Sequence, residues 1–488
     1  MLRDSQEPLT DNSDSISAKS AYSQYMTPTR VAEFMASLFS KLTPRKNIRF
    51  LDAGAGKGAL TSAFLRSYTQ ALLTINNPTF DLFEIDNTLA KKLELNVKNV
   101  VPVLSDNIQI INSDFLELAP NLINEGIGHY SHIMLNPPYK KLYGESRYAK
   151  ILQSNEINAA NLYTAFMSLS IKLLDKKGEL VAIIPRSFCN GFYHKKFRDF
   201  IFDNCSIEHI HLFRSRTRVF KQDKVLQENI IVLLKKDSKQ KEVNISISTD
   251  DHFKDFRQES VPFSEVVHPD DVNKFIRIPI ASSTTGRLAV GLSLADLGVD
   301  VSTGPIVDFR ALDFLNQMPE SGDVPLIYPG HLNGTTEWPK RDFRKPNAIR
   351  FCKKTEKLLF PTGFYVAIRR MSSKEEQRRI VAHLIDPKNF PGFKYLGFEN
   401  HLNIIHSNKN GLSESLAYGL VGYLNSSYVN SLFHCFNGHT QVNATDLRSI
   451  KYPSLDILSY LGDWIKNEKI KCQTRIDEKI RSNIPIHE

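Results

Sequence analysis

Apolar, β-prone runs at 48–52 (IRFLD), 79–85 (TFDLFEI), 108–111, 131–135 and 179–184 (ELVAII) are separated by longer stretches of helical spacing at 28–41, 57–72, 86–95, 159–174 and 190–203. Strands joined through helices of that length run the same way, so the pattern predicts a βα-repeating, mostly parallel sheet as far as about residue 204. Two more strands, near 206–213 (SIEHIHLF) and 227–235 (QENIIVLLK), follow with no helix between them. They predict a closing hairpin, with an antiparallel strand at or near the sheet edge.

The alternation stops after KKDSKQKE. A polar stretch (STDDHFKDFRQES) then leads into short strands and turns from roughly residue 285, punctuated by STGP, YPGH and FPTG. The expected organisation is a polar tail over 1–20, an α/β domain over 21–270 and a second, mixed domain over 271–488. At 488 residues the chain is too long for one comfortable core, which agrees with two domains. No internal repeat or low-complexity segment is visible.

Composition narrows the class. With 41% hydrophobic and 24% charged residues, the chain reads as an ordinary soluble globular protein. The longest apolar runs, such as IIVLL, fall far short of the roughly 18 residues of a membrane span, and the first residues, MLRDSQEPLTDNSDS, are polar rather than signal-like. Five cysteines (Cys189, Cys205, Cys352, Cys435, Cys472) are widely spaced and form no CxxC pair, which favours a reducing cytoplasm and no zinc site; no metal site is expected, and the short apolar runs predict no membrane association. The net charge of +9 permits an anionic partner. Its distribution says more. Residues 340–379 hold thirteen Lys/Arg against four Asp/Glu, and RSRTRVFKQDK holds five cations in eleven residues. Arg216, Lys221, Lys340, Arg341, Arg344, Lys345, Arg369 and Arg370 are therefore candidate phosphate contacts, although a plain solvated basic face explains either patch taken singly.

The first strand–loop–helix, IRFLDAGAGKGALTSAF, ends its strand in Asp52 and follows it with Gly54, Gly56 and Gly58, which let backbone approach a ligand. Dinucleotide sites and tight turns use similar spacings, and no Gly-Lys-Ser/Thr closes the loop into a P-loop. Glu84 closes the next strand, where a carboxylate can bind the two ribose hydroxyls of a nucleoside. Asp114 ends the third, in reach of an adenine amino group. One such acid is ordinary; three at the ends of successive strands describe a pocket for an adenosine-containing cofactor. Ala53, Ile85 and Phe115, beside these acids, are counted as cofactor contacts with them.

The strand in SHIMLNPPYKK ends in Asn136, Pro137, Pro138 and Tyr139. Neither proline supplies an N–H and each fixes its own φ, so the motif is a rigid loop at a strand's carboxyl end, the ligand edge of a parallel sheet. A proline-rich turn with a capping Asn explains that backbone but not the aromatic.

The order YMTPTRVAEFMASL, LDAGAGKGAL, FEID, SDFLEL, NPPY, VAIIPRSF and RVFKQDK…NIIVLL resembles the gamma-class DNA adenine-N6 methyltransferases of type II restriction–modification systems, including the PstI/BsuBI-like members. The resemblance covers about residues 22–236. It implies a class I methyltransferase fold, Rossmann-like with a seven-stranded mostly parallel sheet, followed by a mixed α+β target-recognition domain. It also implies S-adenosyl-L-methionine as cofactor, double-stranded DNA as substrate, base flipping, and a cognate restriction endonuclease as a candidate partner of an otherwise monomeric, cytoplasmic enzyme.

The same resemblance gives residues their roles. Asn136 and the Pro137 carbonyl would each accept one hydrogen of the target amine, with Asn136 also touching the cofactor. Tyr139 would stack on the target base and Phe220 would close on its other face. Thr27 and Pro28, with Tyr25, would lie beside the cofactor's methionine end. A helix start, with Thr27 as N-cap and Pro28 at the first position, explains the same residues without function. Other readings stay open. NPPY also occurs in enzymes that methylate a protein glutamine or an RNA guanine amine, and cytosine-N4 transfer uses the same amine chemistry, though more often with Ser at the Asn136 position. A DNA specificity protein with a silent catalytic fold is a further alternative. Cytosine-C5 chemistry is excluded, because its cysteine nucleophile usually follows a proline and no Pro-Cys dipeptide exists.

Overall fold

The computed structural model describes residues 26–42, 47–127, 129–215, 228–279, 287–288, 291–372, 376, 378–436, 441–470, 472–483 and 486–487. The chain divides into two compact units, 1–280 and 281–488. The division falls ten residues beyond the expected 270/271 boundary, because Ile276 and Ile278 are fully buried in the first unit's core and the Ile276 amide donates to the Cys189 carbonyl at 2.9 Å.

The first unit is built on nine strands: β1 (Arg49–Ala53), β2 (Thr79–Phe83), β3 (Ile108–Ile111), β4 (Tyr130–Leu135), β5 (Leu174–Pro185), β6 (Cys205–Phe213), β7 (Asn229–Lys236), β8 (Val243–Ser248) and β9 (Arg257–Val261). Their order is β3-β2-β1-β4-β5-β7-β6-β8-β9. The seven expected strands are present and β1 to β5 are parallel neighbours. Two differences are informative. β7 lies antiparallel between β5 and β6, inside the sheet rather than at its edge. β8 and β9 then extend the sheet where the sequence reads as polar. β8 (VNISIS) alternates, but its polar face is inside: Ser246 Oγ lies 2.6 Å from His209 Nε2 and 2.8 Å from His211 Nδ1. Burial lowers both imidazoles, to about 4 and about 3, so they stay neutral while bonded to serine.

Parallel strands covered on both faces place alternate residues in different cores. Leu51, Ile133, Leu135, Leu180 and Ala182 join one cluster; Phe50, Met134, Val181 and Ile183 join the other. Helices α1 (Thr29–Ser37), α2 (Ala59–Leu72) and α3 (Asn87–Lys98) supply the second cluster. Helices α4 (Phe115–Asn124), α6 (Leu162–Leu173) and α7 (Lys195–Asn204) supply the first, with α5 (Arg147–Ser154) beside α4. Sequence spacing anticipated α1–α3, α6 and α7 but not α4, which carries Pro120, or the short α5.

The second unit carries a four-stranded antiparallel sheet in the order Asp300–Thr303, Leu402–His406, Tyr365–Arg369, Ala382–Ile385, and a five-stranded mixed sheet. Its C-terminal part is helical. There, helices Glu414–Leu424 and Leu455–Asn467 meet backbone to backbone: a Cβ on Gly419 would stand 1.9 Å from the Leu458 carbonyl oxygen, and one on Gly462 1.8 Å from that of Ser415. Among the described residues no helix is long and apolar enough to cross a membrane.

Gly58 connects the fold to the glycine loop. It has φ +85°, and a Cβ there would lie 2.5 Å from Val97 Cγ1 and 2.8 Å from Leu93 Cδ1 of α3. Left-handed strain of roughly 1–2 kcal/mol and overpacking of about 1–3 kcal/mol should add in Gly58→Ala. We expect a loss of about 2–5 kcal/mol in urea denaturation, and an unchanged midpoint would show that the loop and α3 are not packed as described.

Candidate active site

In the order β3-β2-β1-β4-β5 the sheet reverses direction of travel between β1 and β4, so the crossovers leave in opposite senses and a crevice opens at the carboxyl ends of these two strands. Asp52 lies near the end of β1 and Asn136 directly follows β4. After β1 the chain turns through Gly54 (φ +85°) and Gly56 (φ +58°), and the Gly54 and Ala55 amides donate to the Phe83 carbonyl at 3.0 and 2.8 Å. This folds the loop against the end of β2 and places Gly56 beside Glu84.

Glu84, only 4% exposed, accepts from the Gly56 amide through Oε2 (2.8 Å) and from the Asp86 amide through Oε1 (2.9 Å). Burial pushes its carboxyl above the usual range against the pull of those N–H donors. Asp52 is buried more deeply. The Thr61 hydroxyl donates to its Oδ2 at 2.7 Å, while Oδ1 has no hydrogen-bond partner among the described residues. Burial raises it to about 7, with the negative charge of Glu84 adding to the shift. Two neighbouring buried carboxylates, one with an unmet acceptor, favour a ligand that brings donors or positive charge.

A cavity of about 250 Å³ opens here. Gly54, Gly56, Glu84, Ile85, Asp114, Phe115 and Asn136 line it, as anticipated. Ala53 is fully buried in the sheet core and Asp52 is buried beside it; neither is in the wall. Asp114 is not a strand end; it is the N-cap of α4, with the Leu116 amide donating to Oδ1 (2.9 Å) and the Tyr148 hydroxyl to Oδ2 (2.5 Å). Sequence reading missed Tyr148, together with Met26, Phe83, Leu116, Lys140 and Phe166 of the wall. Phe83 is the hydrophobic end of a strand already recognised, whereas Tyr148 and Phe166 arrive on helices whose local pattern carries no functional signal.

Thr27 does not cap α1. The helix starts at Thr29 with Pro28 as its cap residue and without a side-chain cap bond; the Thr27 hydroxyl instead accepts from Asn136 Nδ2 at 2.9 Å. That bond sets the orientation of the carboxamide. Its nitrogen is engaged by Thr27, and Oδ1 faces the other way, 3.4 Å from the Tyr139 hydroxyl. Pro137 is buried, Pro138 and Tyr139 are half-buried, and the Tyr139 ring meets Tyr163 edge-on at 6.2 Å. At the end of β5, buried Arg186 grips Glu228, by its amide to the Glu228 carbonyl (2.7 Å) and Nη1 to Oε2 (3.2 Å). Tyr25, Arg216, Phe220 and Lys221 lie outside the described residues.

The candidate cations of the second unit divide into two sets. Lys345 pairs with Asp308 (2.6 Å), Lys340 with Glu337 (3.1 Å) and Arg369 with Glu376, while Arg370 donates to the Asn400 carbonyl (2.7 Å). Arg341 and Arg344 are exposed, with no ion pair among the described residues. The loop beneath them is held by buried Asn347, whose Oδ1 accepts from the Lys340 amide (2.8 Å) and lies 2.9 Å from His331 Nε2. Its Nδ2 donates to the carbonyls of Gln317 (2.8 Å) and Lys340 (3.0 Å).

A glycine loop, a buried acid after the next strand and an oriented Asn-Pro-Pro-Tyr loop across the switch point from them place this fold in the class I methyltransferases. A model described as the Eco57I restriction-modification methylase family matches residues 26–220. The chain is 46% identical over 474 residues to the type II methyltransferase M.BsuBI of Bacillus subtilis, spanning 95% of this chain and 94% of that one. It is 39% identical over 481 residues to M.PstI of Providencia stuartii, spanning 96% and 94%. The chain belongs to this family of type II restriction–modification methyltransferases. The solved type IIL restriction–modification enzyme MmeI, in complex with DNA, shares the fold with a TM-score of 0.56 at 12% identity, over 90% of this chain and 69% of that one.

Asp52 provides a pH test. Its native value of about 7 exceeds the unfolded value of about 3.9, so the native state binds the extra proton; the stability this gives is fully present below pH 4 and is lost as pH rises through 7. Asp52→Asn removes the buried charge. Relative to wild type, the variant should gain steadily from pH 4 to pH 8, reaching on the order of 2–4 kcal/mol in urea midpoints. A difference that does not widen with pH would show that Asp52 titrates normally.

Proposed function

We propose that this protein transfers a methyl group from S-adenosyl-L-methionine to the N6 atom of an adenine in double-stranded DNA, taking the target nucleotide out of the helix, as the modification enzyme of a restriction–modification system. The observation that carries the reading is the Asn136 carboxamide, held by Thr27 with its oxygen turned away, next to an aromatic and at the rim of a cavity walled by acids and apolar rings. An adenine amine delocalises its lone pair into the ring and is a poor nucleophile. Two acceptors draw it toward a tetrahedral shape: Asn136 Oδ1 for one hydrogen and the Pro137 carbonyl for the other. A carboxamide takes up no proton near neutrality, so Asn136 acts by alignment and electrostatics. Tyr139, and Phe220 from the other side, supply the contacts that offset a few kcal/mol of unstacking.

The residues present fit the cofactor. Glu84 offers a carboxylate to a ribose diol, Asp114 an acceptor to an adenine amine, and Ile85 and Phe115 apolar surface to the purine, while Asp52, buried behind the wall with Oδ1 unmet among the described residues, offers an acceptor to an ammonium only through a water or a shift of the glycine loop. Pro28 and Tyr25 belong to the same segment as Thr27. When bound, the cofactor supplies a methyl group already activated by a sulfonium. The second unit serves target recognition, with Arg341 and Arg344 on phosphates and base edges read by neighbouring positions. The substrate places the enzyme in the cytoplasm.

The deciding experiment is incubation with labelled S-adenosyl-L-methionine and, separately, duplex DNA, RNA and protein, followed by sequencing of modified bases. Label in DNA as N6-methyladenine at one defined sequence is expected. N4-methylcytosine, or label in RNA or protein, would replace the reading. Asn136→Ala should lower turnover by about 100-fold or more while DNA and cofactor affinity change little, because its bonds strengthen in the transition state. Thr27→Val, which keeps shape but loses the acceptor, should lower turnover by about tenfold by freeing the amide to flip. Turnover within threefold of wild type in both would remove Asn136 from the reaction.

Arg341→Ala/Arg344→Ala should reduce the slope of log DNA affinity against log salt by about 2, roughly 0.9 per phosphate, and leave cofactor affinity unchanged. An unaltered slope would place the phosphate contacts elsewhere.

A further inference from the structure

Between β5 and α7 the chain displays two aromatic rings that the proposed reaction does not use. Phe192 is 60% exposed and Tyr193 89%, on the short turn Phe192–His194, with ring centroids 6.5 Å apart. Large rings left in water forgo about 1.5–3 kcal/mol each of burial, so a free-moving tip would tuck them in. This turn is not free to do so. Arg198, fully buried, donates Nη1 to the carbonyls of Phe188 (2.7 Å) and Gly191 (2.8 Å), and Nε and Nη2 to that of Asn273 (3.1 and 2.9 Å). A Cβ on Gly191 would stand 2.7 Å from the Ser187 carbonyl oxygen, so the turn is closed tightly on itself.

The same platform reaches the candidate active site. His194, the last residue of the turn, is buried, with Nε2 3.3 Å from the Tyr163 hydroxyl, and Tyr163 packs edge-on against Tyr139. The surroundings are cationic. Exposed Lys141 bridges to Asn161, Leu162 donates to the Lys140 carbonyl at 2.9 Å, and Lys196 Nζ reaches Asn158 Oδ1 at 3.4 Å. The segment 158–162 thus meets Lys141 and Lys196, while Lys140 is in the wall of the candidate active-site cavity.

We propose that Phe192 and Tyr193 form a rigid wedge that enters the duplex beside the extruded nucleotide, stacking on the base pairs left exposed there while Lys141 and Lys196 lie on flanking phosphates. The inference rests on the reading of the protein as a base-extruding DNA methyltransferase. Planar apolar rings on a fixed turn, with Lys196 two positions beyond it in the chain, match stacked bases bordered by phosphates, and inserted apolar side chains are a general means of opening a base step. Arg198, Gly191 and His194 are positioning residues: they fix the turn that carries the rings, and His194 ties it to Tyr163. A wedge contributes only to the extrusion equilibrium. Its removal therefore hurts most when the target must leave an intact pair, and least when the pair is already broken.

The experiment compares full-length wild type with Phe192→Ala/Tyr193→Ala on two duplexes carrying the mapped site, one intact and one with an abasic position opposite the target base. On intact DNA, kcat/KM should fall about 10–100-fold. On the abasic duplex the deficit should shrink to less than about threefold, with cofactor affinity and the thermal midpoint unchanged in both. The exchanged pair Phe192→Tyr/Tyr193→Phe, which keeps two rings, should stay within about threefold of wild type on both substrates. An equal deficit on the two duplexes, or no deficit on intact DNA, overturns the wedge while leaving the methyltransferase reading standing. A wild-type protein that methylates no duplex overturns that reading and the wedge with it.

Discussion

Everything in the first unit depends on a constraint of chain geometry: parallel strands joined by crossovers all deliver their carboxyl ends to one edge, and the reversal of strand order between β1 and β4 leaves that edge uncovered at one place. Residues as distant in sequence as Thr27, Asp52, Glu84 and Asn136 meet there. No local feature assembles them. The two hydrophobic clusters, one per sheet face, hold β1 and β4 in register, and the loops inherit their positions from that register.

The site is less relaxed than the core beneath it. Two carboxylates sit in or next to the core, one with an oxygen that none of the described residues satisfies, and a cluster of this kind lowers folding stability. The surrounding hydrogen bonds limit the damage by directing each acid: Thr61 takes one oxygen of Asp52, backbone amides take both of Glu84, and Asp114 is taken by its own helix and Tyr148. Asp114 shows how a cap and a cavity-wall position can share a residue, since its place at a helix start is what brings it to the wall.

The strands of the sheet were legible because their apolar runs are long and their loops carry Gly or Pro, and the acids were legible because each follows such a run. Where the outcome differed, the cause is a tertiary contact without a local signature. β8 looks polar because its serines face buried histidines. Thr27 reads as a helix cap, but its partner is 109 positions away. Tyr148, the Asn347 hub and the Arg186–Glu228 pair are likewise fixed by partners from other elements, and Pro120 hides α4 by standing inside it. Among the second unit's cations, the sequence shows crowding but not which charges are already neutralised, and the structure leaves Arg341 and Arg344 unpaired among the described residues.

The helix pair Glu414–Leu424 and Leu455–Asn467 constrains how the second unit can diverge. At Gly419 and Gly462 the contact is main chain against main chain, so no neighbouring side chain exists that could shrink to accommodate a larger residue. A larger residue at either glycine must move a helix backbone rather than a side chain, which narrows sequence drift at both. The loop on Asn347 is the opposite case: its shape comes from carbonyls, amides and one carboxamide, while the outward residues Arg341, Asp342 and Arg344 carry none of it. A lineage can therefore exchange those outward residues freely on an unchanged support.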